Sequence, residues 1–137
     1  MLKIPDAEHE ETAPQAPTPF INRLACSLVG QAQTIRLTRG TRAHEAYGTD
    51  EAVEQFRCSF GLNPAYRKLL EGEPLAVVGV DGEGEVRVVE LTNHRFFVAT
   101  LFVPQLSSTP EASHPLITAF VKAAGAHHSS GTGVGDR

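Results

Sequence analysis

From residue 96 to residue 103 the chain reads Phe-Phe-Val-Ala-Thr-Leu-Phe-Val, almost continuously apolar. Eight such residues predict a strand buried on both faces, which needs covering layers on either side, as in the middle of a layered α/β domain. Pro104 has no backbone N–H to give to a ladder and ends the run. Such a strand demands a core. A hydrophobic share of 41% in 137 residues is enough to build one within a single domain.

The rest of the body is also strand-rich. Residues 24–37 carry β-formers in polar alternation, closed by Gly40. Phe56, Cys58, Phe60 and Leu62 fall on every second residue, which predicts one face of one strand. Asn63 followed by Pro64 is a cap with proline at the first helical position, so a short helix is expected over 65–71. Residues 75–80 and 85–91 flank Asp81-Gly82-Glu83-Gly84, a hairpin loop signal. Pro115 opens a helix with Leu116, Ala119, Phe120 and Ala123 on one face, and Gly125 is its expected stop. The periodicity therefore predicts an α/β fold: a mixed, mostly antiparallel-edged sheet with a few short helices.

The two ends differ from the body. Residues 1–22 are rich in Glu, Pro and Ala and read as an extended arm, with the folded domain over 23–125. Residues 126–137 hold His127, His128, two serines and three glycines, and read as a disordered tail.

Charge and cysteine usage exclude several classes. The net charge is −4 and the basic residues are scattered, so no nucleic-acid partner is expected. No apolar stretch approaches the ~18 residues of a membrane span, and residues 1–11 lack the pattern of a signal peptide. A cytoplasmic protein is the expectation. Cys26 and Cys58 are too few for a disulfide scaffold and have no metal-ligand spacing. His9-Glu10-Glu11 lacks the second histidine of a helical zinc site, and no glycine loop is built to cradle phosphates. Neither metal nor cofactor is expected.

Several segments together resemble one family. Asn63-Pro64-Ala65-Tyr66-Arg67 is similar to an N-x-x-Y-R segment of the glutamine amidotransferase domain of CTP synthase. Val88-Val89-Glu90-Leu91, His94 and Phe96-Phe97-Val98-Ala99 follow that family's V-E-L-x-x-H-P-x-F-V-A pattern. Ser108-Thr109-Pro110, His114-Pro115-Leu116 and Phe120-Val121-Lys122-Ala123-Ala124 match its ending, while Arg39-Gly40 and Ala46-Tyr47-Gly48 resemble its P-G-S…A-Y-G segment. The order is constant over about residues 33–125, so the resemblance is to the C-terminal half of the domain. It implies the second half of a class I amidotransferase-like fold, and a family role in supplying ammonia from glutamine for CTP.

The departures bear on chemistry. In the family a cysteine on a strand-to-helix turn cleaves glutamine, a histidine takes its proton, and a glutamate orients the histidine. The histidine and glutamate come from an F-H-P-E-F segment, which here reads Phe102-Val103-Pro104-Gln105-Leu106. Val103 cannot accept a proton, and Gln105 carries no charge to stabilise an imidazolium. The nucleophile turn is expected upstream of this chain, so the chain alone is expected to be inactive, as a degenerate relative or a fragment of a longer protein. Of the R-H-R-H-R-Y-E run that helps hold substrate, only Arg57 and the aromatic Phe60 survive, which leaves Arg57 as the candidate substrate-binding residue.

Cys58 and Cys26 are the candidate reactive thiols. Arg57 beside Cys58 favours thiolate, but neighbours on a strand point apart, and packing between Phe56 and Phe60 is the stronger reading. His114 precedes Pro115 and most simply caps the last helix, and His94 has no partner for chemistry. Asp81-Gly82-Glu83-Gly84 resembles a cation loop, yet turn chemistry explains it. The expected partners are glutamine or another small amino acid, and a second copy or partner chain covering an exposed sheet. An enzyme of altered cysteine chemistry completed by another chain is the alternative.

Overall fold

A computed structural model describes residues 7–72 and 74–131. Its centre is an antiparallel sheet in the order β3-β2-β5-β6-β7, flanked by a two-stranded sheet of β1 and β4. One helix packs on the large sheet, and the second packs on the first and sends Leu116 into the core. The α/β expectation holds, with every strand pairing antiparallel among the described residues.

Strand β2 (Ala32–Leu37) buries Ile35 and Leu37 and exposes Thr34 and Arg36, the alternation of a strand with one covered face. It pairs with β3 (Glu51–Gln55) from Ala32↔Gln55 to Arg36↔Glu51. Between them lies α1 (Arg42–Tyr47), a helix that periodicity did not reveal because it has under two turns. Its ends are nonetheless written in the sequence. Thr41 Oγ1 accepts from His44 N at 3.2 Å, and Gly48, at φ 69°, donates its N–H to His44 O.

Strands β5 (Leu75–Val80) and β6 (Val86–Leu91) form the expected hairpin. Asp81 closes its loop: Oδ1 accepts from Glu83 N at 2.9 Å and Glu85 N at 3.0 Å, while Oδ2 accepts two N–H groups of Arg87. That spends the carboxylate on turn chemistry. The register slips around Gly79, and a Cβ there would stand 2.7 Å from Val88 Cγ2, so the close approach of these strands requires glycine. Val78 and Val88 join Ile35, Phe56 and Phe102 in the core.

Several expectations are corrected. The alternation at Phe56, Cys58, Phe60 and Leu62 is not one strand, because β3 stops at Gln55 and β4 (Phe60–Leu62) belongs to the other sheet. Residues 24–31, expected in a strand with 32–37, are irregular and cause this switch. They bond to the crossing segment through Phe56 N→Gln31 O, Gly30 N→Phe56 O, Leu28 N→Cys58 O and Leu24 N→Ser59 O.

The run 96–103 is not a central strand either. Only β7 (Val98–Thr100) pairs, and it is the edge of the sheet, with Phe97 44% exposed. Its apolar residues divide instead: Phe102 turns into the core against Phe56, edge to face at 5.8 Å, while Phe97 remains on the surface.

The short helix after Asn63 forms with the expected cap, Asn63 Oδ1 accepting from Ala65 N at 3.0 Å, but as a tighter 3-10 helix over Pro64–Leu70. The last helix, α2 (Pro115–Gly131), does not stop at Gly125, where no left-handed turn forms. Residues 126–131, read as disordered, are therefore helical, and the remainder of that tail lies outside the described residues.

The described part of the arm is tied down rather than reaching away. Phe20 N bonds Glu8 O, β1 (Ile21–Arg23) pairs with β4, and Tyr66 donates its hydroxyl to Thr18 O at 2.7 Å. Residues 1–6 lie outside the described structure. No helix among the described residues is long and apolar enough to cross a membrane.

Candidate functional site

The strand end at 102–106 is where the sequence placed the chemistry. After β7 the chain buries Phe102, leaves Val103 partly covered and enters a 3-10 helix over Pro104–Ser107. Val103 holds the cap position with no side-chain hydrogen bond, and Gln105 is exposed, its side chain making no hydrogen bond among the described residues. Beside them runs a groove of about 690 Å³ lined by Phe96, Val98, Val103, Gln105, Leu116 and Phe120. The groove is largely apolar, and none of its side chains can take up a proton near neutral pH.

An imidazole lies eleven residues beyond Val103 in the chain but faces the other way. His114 is 4% exposed. Its Nδ1 accepts from Leu116 N at 3.2 Å, so it does cap α2, as the sequence suggested. With Nδ1 accepting, the ring proton sits on Nε2, which lies 2.8 Å from Glu54 Oε1 and donates to it. The Tyr47 hydroxyl donates to the same oxygen at 2.5 Å. Burial, and then the bond to Glu54, push the Tyr47 hydroxyl far above its ordinary range. Both ring nitrogens of His114 are thus committed to holding α2, α1 and β3 together.

Cys58 is the one predicted thiol that the fold brings to the strand end. Its Sγ–H donates to Leu101 O at 2.8 Å, two residues before Val103. Burial pushes this thiol up, against weaker lowering by the Arg57 backbone and the Arg87 charge. No imidazole bonds to it among the described residues. Arg57 is exposed with no ion partner among the described residues, and Cys26 is exposed on the 24–31 loop, lining a different cleft. The fold therefore does not assemble the three candidates into one site. No cluster of three or more His, Cys, Asp or Glu placed to hold a metal occurs among the described residues.

Sequence reasoning missed the buried polar pairs. Arg87 and Asp81 are 5% and 2% exposed and bonded at 2.7 Å. Glu90, 3% exposed, accepts from Arg42 N at 3.0 Å and so satisfies the start of α1. Asp81 and Arg87 were legible only as turn and strand residues, and Glu54 stands in β3 with no local mark of burial.

No protein-family model matches the chain. Among curated proteins, a CTP synthase of Roseiflexus castenholzii is 46% identical over 90 residues, 65% of this chain and 16% of that protein. A CTP synthase of Picosynechococcus is 35% identical over 139 residues, 94% of this chain and 25% of that protein. One from Cytophaga hutchinsonii is 34% identical over 134 residues, 90% of this chain and 25% of that protein. The chain thus spans a quarter or less of the length of these relatives.

Among solved structures, the glutaminase domain of Trypanosoma brucei CTPS with bound acivicin superposes with a TM-score of 0.79 at 24% identity, over 88% of this chain and 51% of that one. A putative GMP synthase component from Thermoplasma acidophilum gives 0.59 at 9% identity, over 80% of this chain and 50% of that one. Both show a shared fold.

Proposed function

The chain is a relative of the C-terminal part of the CTP synthase glutaminase domain, and from that premise we propose that it is a glutaminase-like module that does not itself hydrolyse glutamine. One observation carries the reading: the strand end at 102–105 presents Val103 and Gln105, beside an apolar groove, where the family's mechanism asks for a proton acceptor and an anion. His114, eleven residues beyond Val103, is buried and bonded through both nitrogens.

The module works by contact. Phe97, just before β7, Leu106 in the 104–107 turn, and Phe120 and Val121 on α2 are 44%, 55%, 56% and 62% exposed. Phe97 and Phe120 line the groove beside β7, whose outer edge is unpaired among the described residues, a face that is costly to leave in water. Its occupant is the other half of a glutaminase-like fold. The T. brucei domain, matched over 51% of its length, has a remainder of about that size to supply.

The test joins the chain to the front half of a glutaminase domain from a CTP synthase. With Val103 and Gln105 in place the joined protein is expected to release no ammonia from glutamine, and Val103→His with Gln105→Glu is expected to gain release. Hydrolysis by the unaltered joined protein contradicts the proposal. If that hydrolysis falls with Cys58→Ser, the alternative of altered cysteine chemistry takes its place.

A further inference from the structure

The large sheet ends at β7 on one side and at β3 on the other. β3 meets β2 in an unbroken register from Ala32↔Gln55 to Arg36↔Glu51, so its backbone groups alternate between the two sides of the strand. Leu37 N donates to Asp50 O and Phe56 N donates to Gln31 O. Those two bonds mark the even-numbered residues of 50–56 as the ones turned toward β2. The N–H and C=O groups of Glu51, Val53 and Gln55 therefore point outward. Among the described residues only Glu51 O has a partner, the Thr49 hydroxyl at 2.8 Å. The same three residues carry the exposed side chains, Val53 at 69%, whereas Glu54 faces the core.

Natural sheets blunt such an edge with lysine, proline or a bulge, and β3 has none of these. Its sequence instead complements itself. A second copy turned about a two-fold axis at Val53 pairs all five residues of the strand, antiparallel. Val53 then meets Val53 of the second copy. Glu51 meets Gln55, whose amide N–H donates to the carboxylate. Arg57 stands diagonal to Glu51 across that ladder, within reach of a long side chain. Both are exposed, and neither has an ion partner among the described residues. An axis moved to Glu51 would set that carboxylate against its own copy, a like-charge pair that disfavours the slip.

We propose that β3 pairs with β3 of a second copy of this chain about a two-fold axis at Val53, joining two five-stranded sheets into one. Val53 exchanges N–H and C=O with Val53 of the second copy, and Glu51 does so with Gln55. Glu51 O keeps a second lone pair for this beside the Thr49 bond. A short edge buries less than the ~1,200 Å² of lasting interfaces, so the dimer is weak, with a dissociation constant on the order of 100 μM. The pairing leaves the β7 and α2 face free and does not depend on the glutaminase-like reading.

Sedimentation from about 10 μM to about 1 mM, with amide hydrogen exchange at both ends of that range, tests the pairing. A monomer–dimer equilibrium is expected. Exchange at Val53 and Gln55 should slow with concentration, while Ala52 and Glu54, already bonded to β2, change least. Glu51→Arg should weaken dimerisation about ten-fold without altering the Tm of the dilute chain, and adding Arg57→Glu should restore it. A chain still monomeric at the highest concentration overturns the proposal. So does a dimer that Glu51→Arg leaves intact, or one whose Val53 and Gln55 amides exchange as in the monomer. A dimer lost instead in Phe120→Lys would place the contact on α2 and overturn it as well.

Discussion

His114 Nε2 and Glu54 Oε1 meet at 2.8 Å, 60 residues apart in sequence, with both side chains at or below 5% exposure. His114→Leu leaves the Glu54 carboxylate with only its Tyr47 bond, and Glu54→Leu leaves a buried neutral imidazole N–H without its acceptor, each a cost of about 1–3 kcal/mol. Glu54→Leu and His114→Leu should each lower the urea midpoint by that order. The double variant should lose less than the sum, because it strands neither group. Additive losses in the double-mutant cycle would contradict this account of the pair.

Tyr47 contributes a pH-dependent part of the stability in the alkaline range. Its hydroxyl is raised above the ordinary 10.0 by burial and by the bond to Glu54, so the folded chain keeps a proton that the unfolded chain releases. The stability this proton carries is fully present below pH ~10 and falls as pH rises above it. Tyr47→Phe should lose about 1 kcal/mol at neutral pH and flatten the alkaline slope. Parallel urea melts of the two proteins from pH 8 to 11 check both effects.

What the sequence disclosed was what local chemistry decides. The 75–91 hairpin follows from four loop residues, and the Asn63-Pro64 cap from two. His114 as the cap of α2 needed only Pro115 after it. The misreadings share one cause, contacts made by distant segments. The alternation through Phe56 to Leu62 is genuine, but residues 24–31 pull the chain from one sheet to the other within it. The apolar run at 96–103 suggested two covered faces, and its residues face two different surroundings instead. Glu54 could not be seen as buried because its partner lies across the fold. At the strand end, Val103 and Gln105 were legible only through the family resemblance, since nothing in their own chemistry marks a site.

Gly79 has no room for a side chain. Gly79→Ala would place a methyl 2.7 Å from Val88 Cγ2 and 3.2 Å from Ile35 Cγ2, both in the core. Overpacking of this kind costs about 1–3 kcal/mol. A loss of that size in chemical denaturation is expected, whereas Gly82→Ala, where an added Cβ meets nothing within 4 Å, should change stability little.

The apolar face of β7 and α2 should bind the dye ANS in the folded chain, and Phe120→Lys should reduce that fluorescence without shifting the melt. The same variant should weaken co-elution with a separately expressed front half of a CTP synthase glutaminase domain. Undiminished co-elution would place the contact elsewhere.

The most direct test of the central claim is ammonia release by the purified chain at millimolar glutamine, read against a heat-denatured control. No release above that control is expected, because Val103 and Gln105 cannot replace a histidine and a glutamate and the Cys58 thiol is raised by burial. Turnover that survives purification and disappears in Cys58→Ser or Cys26→Ser would contradict it.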